Sequence, residues 1–276
     1  MPELPEVEHI VRALRPVITG RRIVGVDLRQ RKLAPGISPG TFKRKLSGTT
    51  VGGVNRRGKF ILLELDSDQV LMVHLRMTGK FVCIGAEAQL PPYAHVIFYL
   101  DNERRLIFSD MRQFGRMKIV TASGLHATRE LSMLAPEPLS DQFTPEYLRA
   151  TLSGSRRTLK QVLLDQTKVV GLGNIYASEA LFLGRISPFA SAANLSKRRT
   201  VRLHQAIRDV LQEAIQCGST LKIDLQDGGG SYFGTLERFW RVYEREAEPC
   251  VNCGAHIRRV VHAGRSTYFC PRCQRR

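Results

Sequence analysis

LLDQTKVVGLGNIYASEALF, residues 163–182, is the stretch on which the architecture of the chain turns. An amphipathic helix runs into it and ends near Asp165. A turn holding Gly171 and Gly173 follows, and a second helix starts about Asn174. Glycines allow close backbone approach, and a helix N-terminus offers unpaired N–H groups to a phosphate. The same glycines also read as a plain helix C-cap. The helix–turn–helix reading therefore draws its weight from the basic residues just upstream, Arg156, Arg157 and Lys160.

Working outward, the chain has 276 residues, 43% of them hydrophobic, which is room for two ordinary domains with cores. Lys and Arg total 42 against 25 Asp and Glu, a net charge of +17. That balance predicts affinity for a polyanion and says little about fold. No apolar run reaches membrane-spanning length, and the acidic N-terminus lacks the basic start of a signal peptide. An anionic membrane surface stays open on charge alone. No basic amphipathic helix carries a lipid-facing aromatic set, so nucleic acid is the better match.

The sharpest metal signal is C-V-N-C at 250–253 with C-P-R-C at 270–273. Paired C-x-x-C knuckles a short hairpin apart make a tetrahedral thiolate site for zinc. Four thiolates leave no open position for water, so one structural zinc is expected on Cys250, Cys253, Cys270 and Cys273. Between the pairs lie His256, Arg258, Arg259, His262 and Arg265. This is either a basic hairpin for reaching DNA or a solvated basic face. Cys83 and Cys217 stand alone and read as small apolar residues in a reducing compartment.

Upstream of residue 135 the pattern is strand-like. Segments 21–30, 50–59, 60–66, 69–77, 94–101, 104–110 and 115–120 are short and rich in Val, Ile, Leu and Phe. D-S-D at 66–68 and D-N-E at 101–103 suit hairpins, and the spacing suggests an antiparallel sandwich or barrel. I-S-P-G at 37–40 and Q-L-P-P-Y at 89–93 read as surface loops. The Pro-rich stretch 135–149 reads as a linker, and helical periods follow over 145–152, 158–166, 174–184 and 196–216. Residues 227–234, D-G-G-G-S-Y-F-G, read as a glycine-rich loop.

The chain opens M-P-E-L-P-E-V-E. Pro5 suits a first helical position, Glu6 and Glu8 favour the positive helix end, and Val7, Ile10, Val11 and Leu14 form an apolar stripe. None of this explains Pro2 and Glu3. In R-R-G-K-F (56–60), Lys59 reads as a solvated strand end or as a cation beside developing negative charge. V-H-L-R-M-T-G (73–79) and S-D-M-R-Q-F-G (109–115) place Met77, Arg112 and Phe114 before glycine turns. They read as core or turn residues, or as a wedge filling the hole left by an extruded base. Spacing alone favours core for Met77 and Phe114.

Together PELPEVE, HLRMTG, LLDQTKVVGLGNIYASEALF and the four-cysteine segment with GRSTYFCPRCQ resemble, in order and nearly end to end, bacterial formamidopyrimidine-DNA glycosylase. The resemblance implies an α+β multidomain fold with an N-terminal antiparallel β-sandwich and leading helix (1–134). A linker (135–149), a helix–two-turn–helix domain (150–242) and a C-terminal zinc β-hairpin (243–276) follow, with DNA between the halves. It also implies removal of Met1, with the Pro2 amine as nucleophile and Glu3 as the acid that protonates the sugar ring oxygen. A free α-amine titrates near 7.7–8.0, so a neutral fraction exists at physiological pH. By the same resemblance Glu6 is a carboxylate near the damaged nucleotide, helix capping being an equal reading. Lys59 serves β-elimination and a phosphate, Arg265 serves δ-elimination, and Arg265 and Asn174 grip phosphates. Met77, Arg112 and Phe114 form the wedge, Arg112 facing the orphan cytosine. Arg156 and Lys160 lie near the DNA backbone, and Ser219 to Tyr232 close over a flipped 8-oxoguanine.

The chain departs from the family pattern at Met111 and Gln113, which replace a proline and an arginine. Tyr93 stands where a DNA-contacting histidine is common, and Ala135 and Glu244 replace glycines. The expected activity is a glycosylase and AP lyase on duplex DNA bearing oxidised purines, acting as a cytoplasmic, nucleoid-associated monomer without a membrane partner. Two other readings stand beside it: a pyrimidine-specific enzyme like endonuclease VIII, and a zinc protein that binds DNA without catalysis. Leu4 and the glycine-rich loop favour the purine enzyme over the first. The second requires loss of Pro2, Glu3 or Lys59, and all three are present.

Overall fold

The structure is a computed structural model and describes residues 1–218 and 240–275. The chain forms two compact units, one over Met1–Ser132 and a second over Met133–Cys217 with the C-terminal segment.

The first unit opens with α1 (Leu4–Ile18). Its stripe of Val7, Ile10, Val11 and Leu14 is buried, as the helical spacing requires. The strands are β1 (Ile23–Leu28), β2 (Val51–Arg57), β3 (Phe60–Leu65), β4 (Gln69–His74), β5 (Gly79–Gly85), β6 (Ala94–Leu100), β7 (Arg104–Asp110) and β8 (Arg116–Thr121). They form two antiparallel four-stranded sheets, ordered β1-β6-β7-β5 and β2-β3-β4-β8. Alternate residues of both sheets, among them Val54, Ile61, Leu71, Val96, Phe98 and Phe108, meet α1 in one core. The D-S-D and D-N-E turns close the β3–β4 and β6–β7 hairpins, with Asp68 and Glu103 in the left-handed region.

Two elements depart from the reading of the sequence. I-S-P-G begins α2 (Pro39–Leu46) rather than a loop, with the Ser38 hydroxyl accepting the Thr41 N–H at 3.1 Å. Its Phe42 and Leu46 are fully buried. The edge strand β5 is not among the expected strands, although K-F-V-C-I between two glycines has strand composition, and its first glycine is required. A Cβ on Gly79 would lie 2.5 Å from the Leu75 carbonyl oxygen and 2.7 Å from the Phe108 ring.

A short α3 (Arg129–Ser132) ends the first unit, and the second holds α4 (Pro145–Ser153), α5 (Leu159–Leu163), α6 (Asn174–Leu183) and α7 (Lys197–Gly218). The hairpin of β9 (Arg258–His262) and β10 (Arg265–Phe269) follows, turning on Ala263 and Gly264, both at positive φ. The stretch 135–149 packs within this unit. The Ala135 N–H reaches the Gln166 carbonyl at 3.0 Å, and Arg208 donates to the carbonyls of Pro138 and Ser140 at 2.8 and 3.1 Å. Among the described residues no helix is long and apolar enough to cross a membrane. The expected closing loop, Ser219 to Tyr232, lies outside the described residues.

Candidate functional site

In the first unit Pro2 and Glu3 are buried at the N-terminus of α1, Glu3 only 3% exposed. Glu3 is the N-cap. Its carboxylate accepts the Glu6 N–H, while the Glu6 carboxylate accepts the Glu3 N–H at 2.8 Å. This reciprocal box fixes both carboxylates on helix donors. Glu6 thus has the capping role, and Glu3 is held beside the proline that precedes it.

Lys59 follows Gly58, which turns at φ 56 between β2 and β3, and it is buried rather than solvated. Arg56 braces this turn. It donates to the Gly58 carbonyl at 3.1 Å and pairs with Glu8 of α1 at 3.0 Å, and Glu8 also pairs with Arg12. His74 is a neighbour that sequence reasoning did not single out. Its ring meets Phe60 edge-on at 4.8 Å, and its Nδ1 accepts the Arg76 N–H at 3.0 Å. Burial first, then the Arg76 and Lys59 charges, push its pKa down to about 3. A neutral imidazole beside Lys59 is therefore part of this corner.

Met77, Arg112 and Phe114 come together at the surface, which corrects the core reading of Met77 and Phe114. Met77 is 43% and Phe114 47% exposed. Arg112 lies between them, donating toward the Met77 thioether at 3.1 Å with its guanidinium carbon 4.8 Å from the Phe114 ring centre. Beneath this ridge sits Asp110, fully buried. It accepts from the Thr78 hydroxyl and from the Gly115 N–H at 2.7 Å, and the Thr78 oxygen accepts the Arg112 N–H at 3.0 Å. Gln113 takes φ 56 and is held by the Gln30 side chain at 2.9 Å. Tyr93 is exposed at φ 60, and its carbonyl accepts the Asp110 N–H at 3.2 Å.

In the second unit α6 begins at Asn174, as the sequence predicts. The Asn174 amide donates to the Ser266 carbonyl at 3.0 Å, while its own Oδ1 is buried without a partner. Lys160 is not at the surface. It is 1% exposed, and its ammonium donates to that same Ser266 carbonyl at 2.9 Å and to the Thr267 hydroxyl at 2.8 Å. The expectation of a backbone-gripping Lys160 is thereby corrected. The ammonium is surrounded by the chain's own oxygens, and it fastens the hairpin to α5. Thr158, the cap of α5, adds a 2.9 Å contact to His262. Arg265 follows the hairpin turn and is exposed, directly before the carbonyl that Lys160 and Asn174 share, and Arg156 is exposed as well.

Glu179 of α6 is fully buried and accepts the N–H groups of Arg241, Val242 and Tyr243 at 2.9–3.0 Å, which anchors the entry to the cysteine hairpin. The Sγ atoms of Cys250, Cys253, Cys270 and Cys273 all lie within 4.8 Å of one another. Two of these separations are 3.8 and 3.5 Å. Tetrahedral zinc with ~2.3 Å bonds places sulfurs ~3.8 Å apart, so the cluster fits one zinc ion. The Asn252 and Cys273 amides point at Cys250 and Cys270 sulfur, as thiolates require. The Ala255 amide lowers the Cys253 pKa to about 7, whereas burial and the neighbouring thiols push Cys273 up to about 12. A divalent cation displaces such protons.

A two-sheet unit with an exposed Met–Arg–Phe ridge and a helical unit fastened to a basic four-cysteine hairpin are the parts of a DNA-repair glycosylase. Three family models cover the chain. The formamidopyrimidine-DNA glycosylase N-terminal domain matches residues 1–117, its H2TH domain 134–224, and the zinc finger found in FPG and IleRS 247–276. The formamidopyrimidine-DNA glycosylase of Pelotomaculum thermopropionicum is 43% identical, covering 100% of this chain and 99% of the relative. That of Chloroflexus aurantiacus is 44% identical over 99% and 98%. The Lactococcus lactis enzyme bound to DNA containing an oxidized pyrimidine superposes with TM-score 0.91 at 33% identity, covering 100% of both chains. Its complex with FAPY-dG DNA gives 0.90 at 32%, over 99% of this chain and 100% of that one. The chain belongs to the formamidopyrimidine-DNA glycosylase family, the glycosylase/AP lyases of base excision repair.

Proposed function

We propose that this chain excises oxidised purines, 8-oxoguanine and formamidopyrimidines, from duplex DNA through its N-terminal proline. The observation that carries this reading is the buried Pro2–Glu3 pair, with Glu3 fixed by the reciprocal box to Glu6. Once Met1 is removed, the secondary amine of Pro2 attacks C1′. The glycosidic bond breaks, the base leaves with its electron pair, and Glu3 protonates the ring oxygen as the sugar opens. The resulting iminium acidifies C2′, and two successive eliminations expel the 3′ and then the 5′ phosphate. Lys59 serves the first elimination and Arg265 the second. Met77, Arg112 and Phe114 fill the vacated stack, with Tyr93, Arg156 and Asn174 on the surrounding backbone. Lys160 serves by holding the hairpin that carries Arg265. The catalytic domain spans 1–134, the helical domain 150–242 and the finger 243–276, and the protein acts as a cytoplasmic monomer on DNA.

A second reading, excision of oxidised pyrimidines, has one observation in its favour. The Lactococcus relative is known in complex with DNA containing an oxidized pyrimidine. Borohydride trapping separates the possibilities. A covalent complex is expected on 8-oxoguanine DNA and none on thymine glycol DNA, and the reverse would favour the second reading. Protein that retains Met1 should bind damaged DNA without trapping. Glu3→Gln should lose base excision yet still cleave abasic DNA, whose sugar opens spontaneously. Normal trapping by protein shown by intact mass to keep Met1 would remove Pro2 from the mechanism.

A further inference from the structure

The second unit carries a basic surface that the proposed lesion chemistry does not use. No Asp or Glu occurs from residue 180 to 208, nor after Glu248. The fold brings the arginines of these two segments together. Arg198 and Arg202 lie one turn apart on α7, and Arg199 is i+3 to Arg202 on the same side. Arg199 donates to the Arg275 carbonyl at 3.3 Å, and Gln274 donates to the Ile186 carbonyl at 3.0 Å. The chain end thus lies between the first turns of α7 and the turn that follows α6, which carries Arg185. Arg185, Arg198, Arg202 and Arg275 are exposed. Among the described residues none of Arg185, Arg198, Arg199 and Arg202 has a carboxylate partner within ion-pair distance.

Such a cluster opposes itself. Burial and then the Arg199, Arg198 and Arg185 charges lower the Arg202 pKa. Like charges gathered without acids are relieved by an external polyanion, and guanidinium forks match phosphate oxygens two at a time. The patch is at the knuckle end of the hairpin, whereas Arg265 follows the turn at the other end. Five-residue strands separate the two by roughly 15 Å, beyond the reach of one phosphate.

We propose that Arg185, Arg198 and Arg202 form a second phosphate-binding surface, which holds undamaged duplex flanking the lesion. The proposal rests on the reading that the protein works on duplex DNA. Wild-type excision tests that reading separately.

The test compares wild type with the triple variant R185Q/R198Q/R202Q, which leaves Arg199 and its contact to Arg275 in place. Affinity is measured against salt on a 40-base-pair duplex and on a 6-base-pair duplex closed by non-ionic linkers, each with one central abasic analogue; at about 3.4 Å per base pair the ends of the short duplex lie only about 10 Å from the lesion. Each lost phosphate contact lowers the slope of log K against log salt by about 0.9, so a decrease of about 2–3 is expected on the long duplex. No change is expected on the short one, and single-turnover excision at saturating enzyme should equal wild type. Equal slopes for variant and wild type on the long duplex would overturn the proposal. An equal decrease on both duplexes would also overturn it, by placing the arginines at the lesion. Thermal melting and zinc content establish that the variant is folded, and R198E/R202E should enlarge the same effect.

Discussion

Replacing Lys160 by Met separates a strut from a phosphate ligand. The substitution keeps the length of the side chain and removes its ammonium. Among the bonds of that group are those to the Ser266 carbonyl and the Thr267 hydroxyl. Hydrogen bonds to a charged group contribute about 1.5–3 kcal/mol each, a gross loss of about 3–6 kcal/mol. Relief from burying an ammonium offsets part of this. The Ser266 carbonyl also keeps the Asn174 amide, and the Thr267 hydroxyl can still reach the Arg265 carbonyl at 3.4 Å. A net loss of about 2 kcal/mol in hairpin docking follows, or roughly a 30-fold shift toward the undocked form at 1.4 kcal/mol per tenfold. The assay is zinc release to a chromogenic chelator together with salt-dependent DNA binding. Lys160→Met should release zinc about 30-fold faster, with an unchanged salt slope. If zinc release equals wild type and the salt slope falls by about one, Lys160 grips a phosphate and the strut reading is wrong.

Three more expectations follow from the same geometry. Met77→Ala or Phe114→Ala should slow excision from a stable pair about tenfold, near 1.4 kcal/mol of barrier, and leave cleavage of a preformed abasic site almost unchanged; equal losses on both substrates, by single-turnover kinetics, would contradict the wedge. His74 stays neutral in the folded unit down to about pH 3, whereas the unfolded chain protonates it near 6.5. The unfolded state then binds more protons over that window, so stability falls with pH below 6.5, by about 2 kcal/mol at pH 5; denaturant titrations of His74→Gln should lack this segment. Cys250→Ala should release the metal and weaken DNA binding while the first unit keeps its circular dichroism and melting, and normal affinity in fully metal-stripped protein would count against a structural zinc.

Features set by local pattern were legible before the structure. The α1 stripe, the start of α6 at Asn174 and the two cysteine knuckles each occupy a few consecutive residues, and the structure bears them out. Features set by distant partners were not. Lys160 looks like any basic residue on a helix, because the oxygens that bury it are 106 and 107 residues away. Met77 and Phe114 look like core residues, because what keeps them outside is a buried Asp110 network joining the two turns that cross from one sheet to the other. The α2 helix was missed for a different reason. Ser38 and Pro39 are helix-start signals, but the Pro-Gly pair at 39–40 also reads as a turn. His74 carried no signal, since its state depends on burial and on two cations.

The ridge of Met77, Arg112 and Phe114 is held together by contacts within the chain itself. Immobilising a flexible side chain on association costs about 0.5–1.5 kcal/mol. For three side chains that is about 1.5–4.5 kcal/mol of conformational entropy, comparable to the few kcal/mol needed to extrude a base. In the wedge role proposed for them, side chains already ordered by folding do not lose this entropy a second time at each encounter with a base pair. The same three residues on a slack loop would meet the duplex with a barrier nearly twice as high. A protein that must test many intact pairs for each damaged one gains speed of interrogation from the rigidity of Asp110 and its hydrogen bonds.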